Sequence, residues 1–176
     1  MATTYTLIDK AIVGSGGAAS ISFTSIPSTY TDLCVKVSSR TDATDVSFGL
    51  VAISFNGVTT NLSSTILYGF GSGSGSLSTT GAPSIWSYTD TAVSTNSTFS
   101  NSEFFIANYA GSNFKSVSVD GVNENNATDG RQNLTAGLWS NTSAITSVQL
   151  TPFDSNNVAK NFAQYSTAYL YGIKNS

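Results

Sequence analysis

The stretch from Phe23 to Arg40, FTSIPSTYTDLCVKVSSR, decides the fold class. In its second half Leu33, Val35 and Val37 alternate with Asp32, Cys34, Lys36 and Ser38. Successive residues of a strand point to opposite faces, so this period of two predicts a strand with one aliphatic and one polar face. In its first half Pro27 fixes its own φ and pushes Ile26 towards an extended conformation. Ile26-Pro27-Ser28-Thr29-Tyr30 is therefore a stiff corner leading into the strand. The run Ala19 to Phe23 feeds that corner from the other side. Nothing here looks catalytic. The stretch reads as the middle of a sandwich.

Working outward, Thr3 to Val13 reads as a first strand with Tyr5, Leu7 and Ile12 as its buried positions, broken by Gly14 to Gly17. A polar turn at Asp42 to Asp45 precedes a strand from Val46 to Phe55, and Asn56-Gly57 is a hairpin signal because both residues tolerate positive φ. Further strands are expected at Leu62–Tyr68, Ser84–Tyr88, Thr98–Tyr109, Phe114–Val122, Leu134–Trp139, Ile145–Leu150 and Thr167–Ile173. Thr98–Tyr109 is apolar on both faces through Phe104, Phe105 and Ile106, which predicts a central position. Gly69 to Ser78, GFGSGSGSLS, shows no apolar periodicity and reads as a flexible loop. Asn123 to Asp129 reads as a polar loop. No segment has a helical period. Roughly eight to eleven short strands separated by turn signals predict an all-β protein, a two-sheet antiparallel β-sandwich of jelly-roll type. Residues 1–176 are expected to form that single domain.

Composition agrees with this reading. Only 10% of the residues are charged, against about 25% in an average soluble domain. With 40% hydrophobic residues the chain is not disordered by composition. It suits strands whose outer faces are rich in hydroxyl groups, and a surface so poor in charge favours assembly, including self-association. The net charge is −3 and the seven basic residues are scattered singly, so no nucleic-acid partner is expected. No stretch approaches the length of about 18 apolar residues that a membrane helix needs, and no membrane partner is expected. No signal peptide is visible at the N-terminus.

The chain has no histidine, which removes the Ser-His-Asp triad, the Cys-His pair and most zinc sites. Cys34, the single cysteine, has no histidine to activate it and reads as a packing residue. Gly14 to Ala19 matches a G-x-G-x-x-A spacing, but a strand follows it where a dinucleotide site needs a helix, so it reads as a turn. Asp120, Asn123, Glu124, Asn125 and Asp129 form the one dense group of oxygen ligands; their spacing fits no EF-hand loop, and a solvated polar loop is the favoured reading. No metal, no cofactor and no enzymatic activity are expected. Tyr68, Phe70, Trp86 and Tyr88 flank the Gly-Ser stretch. They are the candidate exposed aromatic site, for stacking on a surface glycan or anchoring a protein contact. Ordinary core packing is the favoured reading of the same four.

Four motifs carry a resemblance: Ile26-Pro27-Ser28-Thr29-Tyr30-Thr31-Asp32-Leu33, Ile53-Ser54-Phe55-Asn56-Gly57, Ala144-Ile145-Thr146-Ser147-Val148, and the terminal Ala168-Tyr169-Leu170-Tyr171-Gly172-Ile173. Together they resemble a family of small β-sandwich virion proteins of tailed bacteriophages, of the marine and cyanobacterial phage type. The match covers both ends of the chain and leaves out about Leu62 to Asn133. It implies a virion structural protein made in the host cytoplasm, a capsid decoration protein (knob or cement) on the outer capsid surface. The implied partner is the major capsid protein or another virion protein. The alternative it implies is a tail or fibre component with a receptor- or carbohydrate-binding role. The family pattern brings no catalytic residues.

Overall fold

A computed structural model describes residues 4–44, 48–81, 83–124 and 130–174. The described residues form twelve strands: β1 (Tyr5–Ile12), β2 (Ile21–Phe23), β3 (Asp32–Ser39), β4 (Gly49–Phe55), β5 (Leu62–Phe70), β6 (Gly73–Thr80), β7 (Trp86–Thr89), β8 (Ser100–Ile106), β9 (Lys115–Asn123), β10 (Arg131–Trp139), β11 (Val148–Asp154) and β12 (Thr167–Ile173). They pair antiparallel into an eight-stranded sheet, β1-β12-β3-β8-β9-β10-β5-β6, and a four-stranded sheet, β2-β11-β4-β7. The protein is an all-β sandwich.

The aliphatic face of the deciding strand lies in the core: Leu33, Val35 and Val37 are buried, and so are Phe104 and Ile106 of β8, Val117 and Val119 of β9 and Leu170 of β12. Facing them from the small sheet are Ile21 and Phe23, Val51, Ile53 and Phe55, and Val148 and Leu150. Each such side chain, fully buried, stabilises the fold by about 1.5–3 kcal/mol. Trp139 closes one end of this core against Phe55, with ring centroids 5.4 Å apart.

The four motifs meet in one place. Ile26 N–H donates to the Thr146 carbonyl at 3.0 Å and Thr31 N–H to the Ile173 carbonyl at 2.8 Å. The Tyr109 hydroxyl donates to the Pro27 carbonyl. The Tyr30 ring lies flat on Gly172, so close that a Cβ there would sit 2.3–2.6 Å from three ring carbons. Asn56 adopts φ 53° and Gly57 φ 69°, the turn that their sequence predicts. That turn closes a single bridge, Phe55 to Val58, after which the chain crosses to the large sheet. The Asn56 amide ties it down: Oδ1 accepts from Thr146 N–H (2.8 Å), Ser147 N–H (3.1 Å) and the Thr146 hydroxyl (3.2 Å), and Nδ2 donates to the Ala144 carbonyl (2.8 Å).

Two expectations are corrected. Tyr5, Leu7 and Ile12 are exposed, at 45%, 48% and 63%. A bulge between Leu7 and Asp9 shifts the register of β1 on β12, and it is Ile8 and Ala11 that pack on the core. The second correction concerns Gly69 to Ser78, which is no loop. It is the heart of the β5–β6 hairpin, with a two-residue turn at Gly71-Ser72 and Gly71 at φ 50°, as a glycine-first hairpin turn requires. The alternation of Gly with Ser is itself a strand pattern. Gly73 and Gly75 face the same way as Phe70 and Tyr68, whose rings cover them; a Cβ at Gly75 would lie 2.6 Å from the Tyr68 hydroxyl. The segment Gly14 to Ala18 is a turn ending in a bridge from Ala18 to Phe162, with no helix after it. Val46, Asn125 and Asp129 lie outside the described residues.

Candidate docking surface

The four candidate aromatics converge, but not on an open face. On β4 and β7, Leu50, Ala52, Trp86 and Tyr88 share the side of the small sheet that looks away from the main core. The β5–β6 hairpin bends past the β7 edge and lays Ile66, Tyr68 and Leu77 against them, forming a second apolar cluster with Phe48 and Phe153. Trp86 and Tyr88 are buried (6% and 4% exposed), Tyr68 is half-buried, and of the four only Phe70 is exposed, at 40%. The rings meet edge-on (Trp86–Tyr88, 64° between planes) or stack beneath the hairpin (Tyr68–Phe70, 22°). The Arg131 guanidinium covers their end, 3.9 Å from the centre of the Phe48 ring and 5.7 Å from that of Tyr88. The four aromatics thus follow the favoured packing reading, with Phe70 alone exposed, and form no open sugar platform. The hairpin that looked like a free loop is what covers them.

Between the two sheets β7 meets the large sheet through hydroxyl and amide groups rather than aliphatic ones. The Ser39 hydroxyl lies 2.7 Å from Thr89 Oγ1 and 3.0 Å from Ser100 Oγ. Ser102 donates to Ser87 Oγ at 2.8 Å, and Ser87 donates to Asn133 Oδ1 at 3.2 Å. Asn133 Nδ2 donates to Thr135 Oγ1 at 3.0 Å, and Thr135 donates to the Trp86 carbonyl at 3.2 Å. Burying such groups costs little when each has a partner. Gly121 makes the close approach possible, since a Cβ there would fall 1.8 Å from Ser87 Oγ.

Most of the carboxylates stand apart; the exception is Glu103 and Asp120, which lie directly opposite each other across β8 and β9. Asp32 Oδ1 accepts the Asn108 N–H at 2.8 Å, and Asp42 binds the Asn161 backbone N–H and side-chain amide. Asp154 is buried; burial alone would raise its pKa, but the Val158 and Asn156 N–H groups and Lys160 at 3.2 Å outweigh that and hold it low. Asp90 is fully buried, which pushes its pKa up against the opposing pull of the Thr98 and Ser94 hydroxyls and the Arg40 charge. The Arg40 guanidinium itself donates to the carbonyls of Ala92, Ser94, Thr95 and Thr98 and so moulds the 91–98 loop over Asp90. Of the expected oxygen-ligand group, Asn123 turns inward and donates to Asp90 Oδ1, whereas Asp120 stands exposed on the opposite face of the same sheet. Among the described residues no three acidic or thiol side chains gather closely enough to hold a metal. Cys34 is buried; desolvation, with Glu103 nearby, pushes its thiol up to about 12.

What remains open is the outer face of the large sheet, and the strand register lays it out in rows. One row runs Ser76, Leu67, Leu134, Asp120, Glu103, Lys36, Tyr169, Lys10 across all eight strands. The rows on either side are Ser78, Thr65, Ala136, Ser118, Phe105, Cys34, Tyr171, Leu7, and Ser74, Gly69, Gln132, Val122, Asn101, Ser38, Thr167, Ile12. Neither of these carries a charge. In the charged row Lys36 and Glu103 neutralise each other at 2.7 Å. Leu67, Leu134 and Val122 are 58%, 59% and 41% exposed on this face. An open groove of about 590 Å³ follows it past Leu67, Ser74, Ser76, Asp120, Gln132 and Leu134.

No family model, curated protein or solved structure matches this chain.

The geometry alone carries the functional reading. The face missed by sequence reasoning had a signal all the same: Leu134, Ala136 and Leu138 alternate with Asn133, Thr135 and Gly137. Here the apolar set points outward and the polar set inward, towards the seam under β7.

Proposed function

We propose that the chain is a structural protein of a tailed-phage virion, a decoration protein docked on the outer surface of the head, and not an enzyme. The observation that carries this reading is the outer face of the eight-stranded sheet: broad, hydroxyl-rich, studded with exposed Leu and Val, and uncharged along the two rows that flank its central charged one. Such a face can dock on a protein lattice at low desolvation cost, because Ser, Thr and Asn exchange water for new partners more cheaply than charges do. The strand order supports the finer fold reading as well. If the β8–β9–β10 meander counts as one unit, and β1 and β12 as additions at one edge, eight units remain. The small sheet then follows the order first, eighth, third, sixth, and the large sheet second, seventh, fourth, fifth. That order matches the double Greek key of a jelly roll, and on this support we propose the finer assignment, an architecture found among viral capsid domains. The structural engagement of Asp32, Asp42, Asp90 and Asp154, the pairing of Glu103 with Lys36 and the burial of Cys34 support the non-enzymatic half of the proposal. Quantitative mass spectrometry and cryo-electron microscopy of purified particles test it. Tens to hundreds of copies on the head are expected. A handful at the tail hands the role to the tail or fibre reading, and absence from particles removes the virion reading.

A further inference from the structure

A β-sandwich leaves strand edges, and proteins guard them with short strands, bulges, charges or a covering segment. Three of the four edges here are guarded. β2 has only three residues. β7 is buried along its whole length. β1 carries a bulge beside Asp9 and Lys10. β6 is different: eight residues, GSGSLSTT, no charge, no proline and an unbroken register on β5. Gly81 N–H donates to the Leu62 carbonyl at 2.9 Å, which marks that pair as hydrogen-bonded. Because such pairs alternate in an antiparallel ladder, Thr79, Leu77, Gly75 and Gly73 bond to β5. The N–H and C=O groups of Ser74, Ser76, Ser78 and Thr80 therefore point away from the sheet, and no described residue bonds to them.

We infer that β6 is a homotypic docking edge, on which β6 of a second copy pairs antiparallel about a two-fold axis through Leu77. The occupant follows from the register. With Leu77 on the axis, Ser74 meets Thr80 of the second copy and Ser76 meets Ser78, so every outward backbone group of both strands finds a partner. Any shifted two-fold register leaves some of them unpaired. The same residues carry the hydroxyls of the outer face, which then form cross-strand Ser–Thr and Ser–Ser contacts. On the inner face Leu77, half-buried in the second cluster, packs against its own copy at the close spacing of a non-hydrogen-bonded pair. The two large sheets become one continuous sheet, and the self-complementary contact closes as a dimer. A single strand pair is small for an interface, so the dimer forms reversibly as concentration rises.

Analytical ultracentrifugation of the whole chain tests this, together with three variants. The wild type is expected to shift towards twice its 18.3 kDa mass as concentration rises. Ser76→Pro deletes an N–H that the β5–β6 ladder does not use, so it should stay folded, with an unchanged Tm, and remain a monomer. Leu77→Cys should oxidise to a disulfide-linked dimer, because Cβ atoms facing across a strand pair lie about 4.5–5.5 Å apart; Cys34, buried and with its thiol up at about 12, does not compete. Ser74→Cys should not cross-link, because its counterpart lies six residues along the strand, about 20 Å away. A wild type that stays monomeric with no Leu77→Cys dimer overturns the inference. So does a dimer that survives Ser76→Pro, or one captured through Ser74→Cys.

Discussion

Replacing Gly172 by Ala puts a methyl group where the Tyr30 ring now lies. The new Cβ would stand 2.3–2.6 Å from three ring carbons, against an optimum of about 3.5–4.0 Å. Those atoms belong to the root of the ring and not to a flexible tip, so the whole side chain must leave its seat. Overpacking of this kind costs about 1–3 kcal/mol, and Tyr30 also packs on the main core, so the expected loss lies near the top of that range. For a chain of this length that lowers Tm by about 5–10 °C. Tyr30→Ala alone should cost about 2 kcal/mol, since only part of the ring is buried. The decisive measurement is the double variant. Gly172 does not have positive φ, so with the ring gone Ala is tolerated there and gains about 0.4–1 kcal/mol by restricting the unfolded chain. The sign of Gly172→Ala thus reverses between the two backgrounds, and urea titrations of the four proteins should show a coupling of roughly 3–4 kcal/mol, the loss in one background plus the gain in the other. Additivity within about 0.5 kcal/mol would mean that the corner and the terminal strand do not meet through this ring.

Three further predictions concern polar side chains tied into the fold at Asn56, Asp90 and Asp154. Asn56→Ala removes the amide that holds residues 144–147 and leaves a non-glycine, non-asparagine residue at φ 53°; the expected loss by urea unfolding is about 2–4 kcal/mol, and Asn56→Asp should retain more than Ala does. Asp90→Asn should be more stable than wild type at pH 7. The folded pKa of Asp90 is raised, so its contribution is full below the unfolded value and is lost as pH rises through the folded one; the advantage of Asn must therefore shrink towards pH 4, and a constant difference across a pH series of melts would refute the cause given. Asp154 has the opposite sign: its pKa is lowered, so it stabilises above the unfolded carboxylate value and loses that effect as pH falls through the folded one. Asp154→Ala should cost about 2–4 kcal/mol at neutral pH and bring the acid limb of the wild type closer to that of the variant.

The fold was legible where side chains alternate in the ordinary sense, apolar inward and polar outward. Leu33, Val35 and Val37 are in the core, Thr167–Ile173 has the bounds its pattern gave, and Ser100–Ile106 is central in the large sheet. Misreadings arose where the period of two is carried by other residue types. In Gly73–Thr80 the inward positions begin with glycines because Tyr68 and Phe70 supply the bulk from the neighbouring strand; that complement is invisible in a window that ends at the turn. In β1 Tyr5 and Leu7 pair with Ile173 and Tyr171 on the outer face, and the bulge after Leu7 brings Ile12 to that same face; nothing in Leu-Ile-Asp-Lys announces the bulge. Between the two readings of Tyr68, Phe70, Trp86 and Tyr88 the sequence favours packing but cannot show what does the covering. Trp86 and Tyr88 do share a face, as their spacing requires, but whether that face is open depends on a hairpin contributed from residues 62–80.

Low charge by itself is weak support for docking, because much of the hydroxyl content is used inside the molecule. Ser39, Ser87, Thr89, Ser100, Ser102, Asn133 and Thr135 are all buried and all bonded to one another or to the backbone. They join β7 to a sheet that approaches too closely for Leu or Val, and they would be needed in a monomer with no partner at all. The outer face lacks that explanation. Its Ser, Thr, Asn and Gln side chains close no seam, its Leu67 and Leu134 cover nothing, and its central ion pair cancels its own field. A solvated monomer gains from charge at such positions, since charge keeps sheet surfaces apart. Charge is therefore missing most where a monomer would benefit from it most, across the rows flanking Lys36–Glu103 and along the free edge of β6. That placement, more than the bulk composition, is what favours a protein that works against a neighbouring protein surface.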